Sequence, residues 1–128
     1  MTYLTERIGP FLPALICLAS ITMLSLSPGV QLPGFRIVSA DKLAHAAAYG
    51  VLSILIAYGL YEKRRSMLSP AAWISVGLAA SAYGALMEWA QYFFAPGRFF
   101  EYDDMIANGV GAALGLWAFA WFLKQKNK

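Results

Sequence analysis

Three short stretches of this chain carry side chains able to bind ions or move protons, and each sets them at helical spacing. Asp41, His45 and Tyr49 are four apart, with Lys42 beside them. Ser81, Gly84, Glu88 and Gln91 follow a three-four-three spacing, and Arg98 lies just beyond. Asp104, Asn108, Gly111 and Gly115 follow four-three-four. On a helix of 3.6 residues per turn each series is one stripe. The chemistry open to such stripes is of three kinds. His45, Glu88 and Asp104, with Asp41 in reserve, mix nitrogen and oxygen ligands suited to a divalent metal. His45 and Glu88 also pair as base and acid for a lipid phosphate ester. Arg98 offers two parallel N–H donors to a carboxylate or phosphate. Against catalysis, the chain has no HExxH, no GxSxG, and no serine or cysteine paired with His45 in an evident triad. The sequence therefore assigns no catalytic residue and no resident metal or cofactor. A binding layer is favoured, with a metal- or His/Glu-dependent enzyme as the alternative.

The elements that must position these groups follow from composition. Of the 128 residues, 59% are hydrophobic and 13% charged, against roughly 25% charged in a soluble domain. Most of the ten basic residues stand at the ends of apolar runs, which suits membrane orientation and excludes a nucleic-acid surface. Four runs, at about 10–27, 41–61, 71–94 and 104–123, each approach the ~20 residues needed to cross hydrocarbon. Pro28-Gly29, the basic turn Glu62-Lys63-Arg64-Arg65 and Pro96-Gly97 separate them, and Pro70 suits the start of the third. Ser39 or Asp41 is placed to cap the second. The first run is read as a retained helix rather than a signal peptide, because the only basic residue ahead of it, Arg7, is balanced by Glu6. Cys17, the single cysteine, lies in an apolar run and forms no internal disulfide. The expected fold is a single all-α domain, a four-helix transmembrane bundle with short loops.

Charge then orients the bundle. Arg7, Lys63, Arg64, Arg65, Lys124, Lys126 and Lys128 fall on one side, and Arg36, Lys42 and Arg98 on the other. That excess places both termini in the cytoplasm. The start of helix two, the end of helix three and the start of helix four then share the outer face. His45 and Asn108 lie only ~6 Å from their helix ends and Glu88 ~9 Å, so nearly every polar side chain within the spans falls in one shallow outward layer. A carboxylate costs roughly 2.5–3.5 kcal/mol at the bilayer centre, so Glu88 is expected to face the bundle and pair with His45, Gln91, Asn108 or Arg98. Gly111 and Gly115 form a GxxxG packing pair, and Gly84 is a small site on helix three. Gln91, Asn108 and Ser81 read as bundle ties, and Tyr49 as a hydrogen-bonded core tyrosine.

The ordered set Asp41-Lys42-x-x-His45-x-x-x-Tyr49, Glu88-x-x-Gln91, Pro96-x-Arg98 and Asp104-x-x-x-Asn108-x-x-Gly111-x-x-x-Gly115 resembles the VanZ-like family of small bacterial membrane proteins. The resemblance runs over roughly residues 20–120. It implies a cell-envelope role and a link to resistance against the glycopeptide teicoplanin, and carries no biochemical activity with it. The partner expected of the outward layer is a membrane lipid or a phosphorylated or carboxylated lipid-linked envelope precursor. A small adaptor for membrane-protein partners among the envelope enzymes is a further alternative. Transport is disfavoured, since no pair of interrupted helices is present.

Overall fold

Proline stands in the first turn of two of the helices, and basic residues fill the last turn of two others. The computed structural model describes residues 6–27 and 40–128. Pro28-Gly29, Arg36 and Ser39, to which the sequence assigned a break, an outward charge and a cap, lie outside the described residues. A helical segment from Glu6 passes through a 3-10 turn, Gly9–Phe11, into helix α1, Leu12–Leu26. Helix α2 is Ala40–Arg64, α3 is Pro70–Phe94 and α4 is Tyr102–Lys126. Each of the last three has 25 residues, about 37 Å of helix. All four helical segments are long and apolar enough to cross a membrane, and there is no strand among the described residues.

Two helices run further than the sequence reading placed them. The basic stretch after Tyr61 is not a separate turn. Lys63 and Arg64 form the last turn of α2, where cations meet the negative end of the helix dipole. The helix stops at Arg65, in the left-handed region at φ 53°, whose N–H returns to the Tyr61 carbonyl at 2.8 Å. In the same way α4 continues through Lys124 to Lys126. Ser69 opens α3, its hydroxyl accepting from the Ala72 N–H at 3.2 Å. Past Ala95, Gly97 takes φ 82°, a conformation that glycine adopts without steric cost, and turns the chain toward α4.

Helices α2 and α4 run parallel, and their seam is the tightest in the bundle. Ala46, Gly50 and Ser53 of α2 meet Gly111, Ala112 and Gly115 of α4 with backbone against backbone. Ser53 is fully buried, with its hydroxyl 3.0 Å from the Ala112 carbonyl across the seam and 2.9 Å from the Gly50 carbonyl on its own helix. One hydroxyl proton serves both acceptors. Ser53→Ala is expected to cost about 1 kcal/mol, within the range of interhelical hydrogen bonds in membranes, and an unfolding titration in mixed micelles would read the loss.

Below the seam, Ala57, Val76, Leu116, Phe119 and Leu123 pack with Leu68 into one apolar core. A second cluster of Ile21, Tyr49, Leu52 and Met87 lies nearer the start of α2. Helix α1 is tied to α3 by a hydroxyl contact between Thr22 and Tyr83 and by Gln91 Nε2, which donates to the Ser25 carbonyl at 3.0 Å. The last bond places the end of α1 beside the end of α3. Large apolar side chains such as Ile16, Leu78, Leu114 and Trp117 remain exposed around the outside, as suits a surface that meets lipid.

Candidate functional site

The starts of α2 and α4 point the same way, so their free N–H groups and dipoles make one electropositive end. Acidic residues gather there: Asp41 in the first turn of α2, Asp103 and Asp104 in the first turn of α4, and Glu101 at its cap. Lys42 stands among them, with its Nζ 3.0 Å from Asp104, 3.5 Å from Glu101 and 3.8 Å from Asp103. Only the first of these acids is buried. Asp104 keeps 4% of its side chain exposed, and Lys42 keeps 28%.

One turn down, His45 occupies the centre of the layer. Its Nδ1 lies 3.1 Å from Asn108 Oδ1. An amide oxygen can only accept, so Nδ1 carries the hydrogen. The same nitrogen is 3.8 Å from Glu88 Oε1, and Nε2, on the other side of the ring, is 3.7 Å from Asp104 Oδ2. Asp41, His45 and Asp104 each offer a ligand atom within 4.8 Å of the others. Glu88 is 2% exposed, and its Oε1 finds no hydrogen-bond partner among the described residues. Room for Asn108 comes from Gly84: a Cβ there would come within 2.8 Å of the Asn108 amide nitrogen.

The stripes predicted from spacing thus converge. Asp41, His45, Glu88, Asp104 and Asn108 meet around one imidazole, and Lys42 closes the top. Gln91 serves as an α3–α1 tie, and Ser81 lies beside Gly109. Two expectations change. Among the described residues Arg98 forms no ion pair with Glu88 or any other acid. It follows the Pro96-Gly97 turn beyond the end of α3, whereas Glu88 sits six residues inside, about 9 Å deeper. Tyr49 is buried in the core, but its hydroxyl has no hydrogen-bond partner among the described residues, its ring lying 6.3 Å from that of Tyr83.

Arg98 instead lines a cavity of about 270 Å³ between α1, α2 and the end of α3. Ile21, Leu24, Ala44 and Ala48 give its lining apolar surface, and Asp41, His45, Tyr49, Gln91 and Arg98 add polar groups, with Asp41, Ala44, His45 and Ala48 on one face of α2. Sequence reasoning missed Ser25, at the edge of this cavity, and the seam residues Ala46, Gly50 and Ser53. The signal for the latter was present as small residues at Ala46, Gly50, Ser53 and Ala57, spaced four-three-four.

No curated protein and no solved structure matches the chain. The VanZ/LLP1 family model matches residues 6–123. That span takes in all four helices, the convergent polar layer and the glycine seam beneath it, and the chain belongs to the VanZ/LLP1 family.

Proposed function

We propose that this VanZ/LLP1 member is a multi-pass protein of the bacterial cytoplasmic membrane that binds lipid-linked cell-envelope material in its outward-facing polar layer. Both termini lie in the cytoplasm on this reading, in line with the basic last turns of α2 and α4. The observation that carries it is the mixed apolar and polar lining of the cavity. An acyl or polyprenyl chain suits the apolar lining of Ile21, Leu24, Ala44 and Ala48, while a phosphate or carboxylate head suits Arg98 in the same cavity. Arg98 has no carboxylate partner among the described residues to compete for its fork of donors. Lys42 is a poor candidate for the head group, since three acids already surround it. Bound in this way, the protein modulates access to envelope precursors, which is the route by which it would influence glycopeptide susceptibility.

The test is binding of a polyprenyl diphosphate to purified protein in detergent micelles. Arg98→Ala/His45→Ala is expected to weaken binding by more than about tenfold, or ~1.4 kcal/mol, with the fold intact. Equal binding by wild type and the double variant would remove the reading. In a Gram-positive host at matched membrane levels, wild type is expected to lower teicoplanin susceptibility, while Glu88→Ala, Arg98→Ala and Asp104→Ala are not. Equal behaviour of all four, different from empty vector, would place the activity outside the layer.

A further inference from the structure

We propose that Asp41, His45 and Asp104 form a binding site for a single divalent cation of the zinc class. The site stands on donor geometry and does not depend on the lipid reading.

The His45 ring is the first reason. With the Nδ1 hydrogen given to Asn108, the ring in its neutral form presents a lone pair at Nε2, which faces Asp104 Oδ2 at 3.7 Å. Two electron-rich atoms at that distance, one of them on a carboxylate kept almost entirely from solvent, repel unless a cation or proton lies with them. The Asp41 carboxylate closes the third corner, with all three ligand atoms within 4.8 Å of one another. Small side-chain adjustments bring such a set to the ~2.0–2.2 Å metal–ligand distances of zinc. Lys42 binds the other oxygen of Asp104, Oδ1, and leaves Oδ2 available.

Glu88 is the second, independent reason. Its carboxylate is 2% exposed, lacks a hydrogen-bond partner at Oε1 among the described residues, and points at the Nδ1 side of His45 from 3.8 Å. A buried carboxylate behind the ring nitrogen opposite the metal-binding one is the usual support for a histidine ligand, fixing its tautomer and raising its basicity. Here Asn108 Oδ1 takes the single Nδ1 hydrogen, and the buried Glu88 carboxyl stands behind the same nitrogen at 3.8 Å without a hydrogen bond. Charge points the same way. Asp41, Glu101, Asp103 and Asp104 crowd this end, and Lys42 and Arg98 are the permanent cations near them among the described residues. A divalent cation offsets much of the excess.

One nitrogen and two carboxylate oxygens favour zinc-class ions over magnesium or calcium, which prefer all-oxygen sites. Three protein ligands leave a coordination position open. Because Asp41 and His45 also line the cavity, that position is within reach of an oxyanion in the cavity.

The experiment uses the full chain without a polyhistidine tag, stripped with chelator in detergent micelles and then titrated with Zn²⁺. About one ion per chain is expected, bound on the order of 1 µM or tighter. His45→Ala and Asp104→Asn are expected to abolish stoichiometric uptake, and Asn108→Ala to weaken it ~10–100-fold. Arg98→Ala should bind zinc as wild type does while losing lipid, so the two readings fail separately. Asp41→Asn, a half-buried position at the start of α2, keeps the fold and is expected to lose metal. In the wild type, Co²⁺ is expected to give the intense visible bands of a low-coordinate site. Absence of stoichiometric Zn²⁺, zinc binding unchanged in Asp41→Asn, or a Co²⁺ spectrum like that of the aqua ion would each overturn the proposal.

Discussion

Gly111→Ala is expected to break the α2–α4 seam and destabilise the protein by about 3 kcal/mol, the upper end of overpacking costs. A Cβ at this position would overlap the Ala46 carbonyl oxygen and come within 2.6 Å of its carbon and of the Ala46 Cα. These are backbone atoms inside a helix, so no rotamer change relieves the overlap. The helices would have to part, and in parting would lose the Ser53–Ala112 hydrogen bond and the close passage of Gly50 over Gly111. Gly115→Ala meets the Gly50 carbonyl oxygen and, at 2.8 Å, the Ser53 hydroxyl, and should behave alike. Gly109→Ala is the control. Its nearest neighbour would be the Ser81 hydroxyl at 3.6 Å, an ordinary contact, and alanine is the better helix former. Unfolding followed by SDS titration or steric trapping separates the cases. A Gly111→Ala protein as stable as Gly109→Ala would show that the seam is looser than described.

The second large effect is asymmetric. Lys42→Met is expected to cost about 2–3 kcal/mol, somewhat below the 3–5 typical of breaking a fully buried ion pair because Lys42 is partly solvated. The damage falls on Asp104. Its carboxylate stays buried and loses the ammonium group 3.0 Å away, the one cation paired with it among the described residues. Asp104→Asn should cost less, since Lys42 retains Glu101 and Asp103 in a solvated setting. Combining Lys42→Met with Asp104→Asn should recover part of the single loss, because no stranded charge remains. Thermal denaturation of the four proteins completes the double-mutant cycle. Strict additivity of the two substitutions would mean that the 3.0 Å contact carries no coupling energy.

Why so much of this layer was legible in the sequence, and the seam was not, has a physical explanation. Apolar runs bounded by Pro70, Pro96-Gly97 and basic clusters announce spans, because hydrocarbon tolerates few alternatives to helix. Polar residues are scarce within such runs, so Asp41/His45, Glu88/Gln91 and Asp104/Asn108 stood out, and alternating helix direction alone placed them at one end. Periodicity names a face and not its neighbour. Gly111 and Gly115 could be read as packing residues, yet nothing in their spacing said that α2 rather than α3 comes closest, or that Ala46, Gly50 and Ser53 receive them. Of the four partners open to Glu88, His45 is the one beside it, and Arg98 is not, for a similar reason. Its distance along the chain suits a pairing with Glu88, but the turn at Gly97 carries it over the cavity instead. Charge after Tyr61 and Leu123 reads as a stop by composition, yet lysine and arginine are favoured in a last turn, so both helices run on.

The glycine seam begins one turn below Asn108 and continues through Gly115 beside Ser53. Contacts made by backbone atoms are indifferent to what the side chains above them carry. The register between α2 and α4, and with it the place where His45 faces Asp104, is therefore set by steric fit at Gly50, Gly111 and Gly115. Scaffold and chemistry are separable in this bundle. The polar turn above the seam can exchange acids, amides and bases while the helices below hold their alignment like the teeth of a closed zip.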